Sequence, residues 1–236
     1  MKKPKRRAVK DIPIKLDAKF WETLRNLVDS IQWGYTSIGK TLYQERDQAL
    51  TCLIILSGLR ISEILGDPKN PKYQYEPLRK KNFSITDMEV ILNRVQTEKH
   101  GKERNNIVMP LTGELGHFTK LLLNWLDKVP DSESVVFPKA RYSVEVNKQF
   151  KAYFHWNKPM SRKRYFKILK ETLDKFPHWF RAVCETVYGR LVFENDPYKL
   201  KDFMGVQTLE ATVPYVESQY EKDIPKAYKL SKDSAN

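Results

Sequence analysis

Three side chains able to work on a phosphodiester stand close together in the last quarter of the chain. Within PHWFRAVCETVYGRLVFENDPYKLKDFMGVQTLEATVPYV, His178 and Arg181 lie three apart, so on a helix both leave one face. Tyr215 follows 34 residues after Arg181, just past GVQTLEATVP, a stretch of small residues and threonine. An arginine fork can hold phosphate oxygens, a histidine can take or stabilise a proton, and a tyrosine hydroxyl can attack. Together they make a set that handles a phosphodiester without a metal. His-x-x-Arg alone is common on amphipathic helices, so its meaning depends on the elements that would have to position it.

Upstream, Gly58-Leu59-Arg60-Ile61-Ser62-Glu63-Ile64-Leu65 places a fixed cation and a carboxylate three apart, directly after a very apolar helix expected over Tyr43–Ser57. A surface ion pair is the plain meaning of that spacing; launching Arg60 from the edge of the core favours an arginine held in place. Before it, Asp17 reads as an N-cap, and Phe20, Leu24, Leu27, Val28 and Ile31 form a stripe at helical spacing, followed by a break at Gly34–Gly39. After it come a polar loop over 67–77 with three prolines, then strands expected over Leu78–Ile85, Met88–Gln96 and Asn106–Leu111. The charged turn Glu98–Arg104 would make a basic hairpin tip, suited either to a DNA groove or simply to solvent. The remainder reads as helical: Leu115–Leu126, Val144–Trp156 and Arg162–Phe176, with VVFP at 135–138 a short extended piece. In the last of these helices Arg162, Lys163, Arg164, Lys167 and Lys170 interleave with Tyr165, Phe166 and Ile168. That gives a basic face able to lie along phosphates, opposite an apolar stripe.

Composition sets the bounds. In 236 residues, 41% hydrophobic and 30% charged, there is material for a sizeable core, and disorder is excluded. The longest apolar run, Ala49–Leu59, is too short to span a bilayer, and the charged opening MKKPKRRAVK is not a secretory signal. Residues 1–10 read as a basic tail. Cys52 and Cys184 fall in apolar helical contexts and read as reduced core residues, which predicts a cytoplasmic protein. A formal charge of +13 calls for a polyanionic partner, nucleic acid before a membrane surface. The four histidines are scattered and no phosphate loop is present, so neither a metal nor a cofactor is expected.

Taken together, these pieces resemble the catalytic domain of the tyrosine recombinase (phage integrase) family over roughly Asp11–Tyr220. GLRISEIL is similar to the family's first box, which implies that Arg60 is the first catalytic arginine and Glu63 its associated acidic residue. The hairpin is similar to the one that carries the family's catalytic lysine: Lys99, with Lys102 the alternative. His178 and Arg181 match the second box, and Gly205, ten residues before Tyr215, matches the spacing from the Leu-Gly-His element to the nucleophile. The resemblance implies an α+β fold, mainly helical with a small antiparallel sheet and hairpin. It also implies double-stranded DNA as partner, a homo-oligomer (tetramer) on that DNA with residues 221–236 docking on a neighbour, and a prokaryotic or mobile-element host cell.

Three features depart from the pattern. Val206 stands where the family has His or Trp, and it cannot donate a hydrogen bond; Gln207 is adjacent. Ala182 replaces the polar residue often found after the second arginine. Only 59 residues precede Arg60, so the family's N-terminal core-binding domain is expected to be missing from this chain. The implied chemistry is attack by Tyr215, phosphate held by Arg60 and Arg181, proton handling by His178, leaving-group protonation by Lys99 and orientation by Glu63. A type IB topoisomerase would share it, and a DNA-binding relative that has lost catalysis would keep the fold alone.

Overall fold

Asp17 opens the first helix. Its carboxylate accepts the Phe20 amide at 3.0 Å, satisfying a donor that every helix start leaves orphaned, and α1 runs Ala18–Asp29 with Phe20, Trp21, Leu24 and Val28 buried. The computed structural model describes residues 15–31, 40–67, 75–96, 103–141, 145–146, 149–150 and 153–216. The basic tail, the break at 34–39, most of the 67–77 loop, the hairpin tip with Lys99 and Lys102, and residues 221–236 lie outside these. The chain forms two compact units, residues 1–184 and 185–236.

In the first unit α2 (Lys40–Ser57) is the central helix; every residue from Ala49 onward is buried, as its all-round apolar surface requires. Arg46 inside it is tolerated because Asp47 pairs with it at 2.8 Å and the Pro138 carbonyl accepts from it at 3.0 Å. A short helix, α3 (Ile61–Leu65), follows. Three strands, β1 (Phe83–Ile85), β2 (Glu89–Leu92) and β5 (Ile107–Pro110), form an antiparallel sheet in the order β1-β2-β5, with Val90, Leu92, Ile107 and Met109 buried on one face. Between β2 and β5 stands the hairpin of β3 (Val95–Gln96) and β4 (Glu103–Arg104). The next helix, α4 (Gly113–Leu126), packs along α2.

Two strands are shorter than expected. Lys80–Asn82 is a 3₁₀ turn fastened by Asn82, whose side-chain oxygen takes the Arg79 amide at 2.9 Å, so β1 starts only at Phe83. The expected strand Met88–Gln96 breaks at Asn93–Arg94. Arg94 is left-handed (φ 55°), and Asn105 and Asn93 each accept a backbone amide across the break, from Arg94 at 2.7 Å and Asn106 at 2.9 Å.

The helix expected over Val144–Trp156 is not found among the described residues. The described part of that stretch is extended: β6 (Pro138–Arg141) pairs with β9 (Tyr153–Pro159), and β7 (Glu145–Val146) with β8 (Gln149–Phe150). The residues explain it. Phe154 and Trp156 stand two apart, so a strand sends both rings to one side, where they meet Trp125 of α4 at 5.6 and 6.1 Å. Helix α5 (Arg162–Leu173) follows, capped by Ser161, and then α6 (Pro177–Val187). Cys52 and Cys184 are both buried and in no disulfide, and burial pushes the Cys52 thiol far up.

The second unit holds a π-type turn, Tyr188–Val192, helix α7 (Pro197–Met204), and two 3₁₀ turns, Leu209–Ala211 and Val213–Tyr215. Tyr188 and Phe203 stack at 4.3 Å within it. The architecture is mainly helical with small antiparallel sheets, the α+β class the sequence implies. Among the described residues no helix is long and apolar enough to cross a membrane.

Candidate active site

Where α2 ends, Gly58 takes a left-handed conformation (φ 62°), which turns the chain and sends Arg60 out of the core. Arg60 is the N-cap of α3, and Glu63 grips it twice. One carboxylate oxygen accepts the Arg60 amide at 2.7 Å and the other its guanidinium at 3.0 Å. Glu63 is only 3% exposed, so this is a held arginine and not a floppy surface pair.

Arg181, 4% exposed, rises from α6 and donates to the Gly58 carbonyl, tying that helix to the same corner. One turn earlier, His178 stays open to water. Its pKa lies below the ordinary 6.5, first because the surrounding protein strips part of its hydration, then because Arg181 and Arg60 repel a positive ring. At neutral pH the ring is therefore neutral and able to take a proton.

These three side chains line one cavity of about 600 Å³, together with Leu59, Ile61, Ser62, Pro177, Arg162, Lys163 and Phe166. Arg162 also pairs with Asp67 at 2.9 Å. The first turns of α5 and α6 both border the space, adding the positive ends of two helix dipoles to four permanent cations. Such a cavity attracts a polyanion and neutralises charge that builds on phosphate oxygens. It repels free cations. Among the described residues no group of His, Cys, Asp and Glu is arranged to hold a metal ion.

Lys99 and its alternative Lys102 lie outside the described residues. Tyr215 belongs to the second unit, in the turn Val213–Tyr215, with its side chain 8% exposed and its amide bonded to the Thr212 carbonyl at 3.0 Å. Gly205 stops α7 in a left-handed conformation (φ 60°), and the Val206 amide bonds back to the Lys201 carbonyl at 3.2 Å. That gives the glycine a local reason independent of chemistry.

Sequence reasoning missed three features. Phe166, expected in the buried stripe of α5, is 38% exposed in the cavity, while Tyr165, Ile168 and Leu169 are buried. Gly189 passes so near the Tyr215 backbone that an added Cβ would lie 3.1 Å from the Tyr215 carbonyl oxygen; a glycine interrupting a helical pattern was the available signal. Arg104 donates to the Ser57 carbonyl at 3.2 Å, and nothing in its spacing announces a partner so far along the chain.

The fold is similar to that of XerH site-specific recombinase. Against the XerH pre-cleavage complex with difH substrate the TM-score is 0.58 at 16% identity, covering 94% of this chain and 55% of that one. The post-cleavage complex with palindromic difH substrate gives 0.57 at 15%, covering 93% and 53%. Tn1549 transposon integrase in complex with transposon right end DNA aligns at 0.48 and 15%, covering 93% and 66%. The chain thus spans about half the length of the XerH chains, and its fold is similar to theirs. No family model matches the chain, and no curated protein matches it.

Proposed function

We propose that this chain carries the catalytic domain of a tyrosine recombinase, which cleaves and rejoins double-stranded DNA as a homo-oligomer. The observation that carries the reading is the convergence of Arg60, His178 and Arg181 on one cavity edged by Arg162 and Lys163. Arg60 and Arg181 hold the non-bridging oxygens of the scissile phosphate, and Glu63 keeps Arg60 aimed. Neutral His178 takes the proton of the Tyr215 hydroxyl as its oxygen bonds to phosphorus. The bond from phosphorus to the 5′-oxygen breaks, and Lys99 supplies the proton that makes it a 5′-hydroxyl. The product is a 3′-phosphotyrosyl link, and a 5′-hydroxyl from another strand reverses the step.

The test uses a pool of nicked, end-labelled duplexes of randomised sequence, so that cleavage beside the nick releases a short fragment and traps the adduct. A protein–DNA adduct on a denaturing gel with wild type, and none with Tyr215→Phe although it still binds DNA, is the expected result. An adduct with Tyr215→Phe would reject the nucleophile. A second reading, a DNA-binding relative that has lost catalysis, is favoured by Val206, whose side chain has no donor for the phosphate. Salt-sensitive binding with no adduct from any duplex of the pool would select it.

A further inference from the structure

The end of α2 carries a feature that the motifs do not contain. The last carbonyls of a helix have no partner within it. Here the last carbonyl of α2 and the one directly after it are taken by guanidiniums from distant parts of the chain. Ser57 accepts from Arg104 of β4 at 3.2 Å, and Gly58 accepts from Arg181 of α6. Arg60 leaves the chain two residues further on. Arg104 is 9% exposed, and burying a guanidinium carries a desolvation cost that a neutral donor would avoid. What its length and fork provide is reach: from the base of the β3–β4 hairpin it crosses to the corner that sets the direction of Arg60.

We infer that Arg104 is a positioning residue, which fixes the α2 corner and through it holds Arg60 at the phosphate. The inference rests on the function proposed above. Without Arg104, the Ser57 carbonyl loses a buried donor, and of the two guanidiniums at the corner Arg181 remains. Arg60 then leaves its geometry, and a displacement of about 1 Å is enough to slow a positioned reaction by about a hundredfold.

Two measurements test it. The first is single-turnover cleavage of a nicked duplex with either an ordinary scissile phosphate or a methylphosphonate in its place. The methyl group removes one charged non-bridging oxygen, and with it most of what the arginines neutralise. Arg104→Ala is expected to slow the phosphate substrate by about tenfold or more and the methylphosphonate by less than about threefold. Equal slowing of both would mark a merely structural role and overturn the inference. The second needs no activity: the Arg60 Nε–H resonance in protein with labelled arginine, assigned with Arg60→Ala. It is expected to shift or broaden in Arg104→Ala while the rest of the spectrum keeps its folded dispersion; an unmoved Arg60 signal overturns the inference. If Arg104→Ala does not fold, Arg104→Gln, too short to reach Ser57, is read in the same way. Should wild type give no adduct on either substrate, the proposed function fails and the resonance alone judges Arg104.

Discussion

The surroundings of His178 favour its neutral form, and that has a sign. A histidine whose folded pKa lies below its unfolded value binds fewer protons folded than unfolded in the window between the two. Stability is therefore unaffected above the unfolded value of 6.5 and falls as pH drops through that window towards the folded pKa. His178→Gln, which cannot titrate, is expected to lose less melting temperature than wild type between about pH 7.5 and about pH 5.5, by a modest margin because water screens an open ring. Thermal melts of both proteins at the two pH values decide it; equal losses would mean that neither lost hydration nor Arg181 and Arg60 lower the ring's pKa. A phosphate entering the cavity reverses the balance, since an anion favours the charged ring. Under the proposed function, DNA binding is expected to be coupled to proton uptake below neutrality, and cleavage to slow over the same range because the proposed acceptor is already protonated.

Among the elements, α5 shows what sequence period can and cannot give. Its basic face was legible, because charges at three- and four-residue spacing fall together on any helix. So were the pairs Arg60–Glu63 and His178–Arg181, whose partners are a turn apart. The cavity was not: it forms where the starts of α3, α5 and α6 meet, and that meeting is a tertiary fact. The error over 144–156 has the same root. Basic and aromatic residues suit a solvated helix as readily as a strand, and the contact that decides, Phe154 and Trp156 against Trp125, lies about thirty residues away. The placement of α5 carries its own prediction. With Arg162 and Lys163 lining the cavity, the double variant Arg162→Ala, Lys163→Ala is expected to bind duplex DNA more weakly. The slope of log affinity against log salt should become shallower by about 0.9 for each phosphate contact removed. Fluorescence anisotropy titrations from low to moderate salt measure it; an unchanged slope would mean that neither side chain meets the backbone.

At the scale of the whole molecule, a net charge of +13 and a cavity edged by four permanent cations supply from the chain itself the charge that many phosphoryl-transfer sites borrow from a divalent ion. The proposed link to Tyr215 also stores the energy of the broken phosphodiester, because one phosphate ester replaces another. Neither an ion nor a nucleotide triphosphate is then needed in either direction. The expected outcome is an adduct yield from nicked duplexes that is the same in excess EDTA, without nucleotide, as with magnesium and ATP. Adding a complementary strand that ends in a 5′-hydroxyl should consume the adduct and yield a longer ligated strand, whereas the same strand with a 5′-phosphate should leave it intact. Release of a free 3′-phosphate in place of ligation would show water as the acceptor and make the chain a nuclease. The choice between these products rests on which nucleophile reaches the phosphorus, so gel analysis of the 3′ ends reads the reaction class directly.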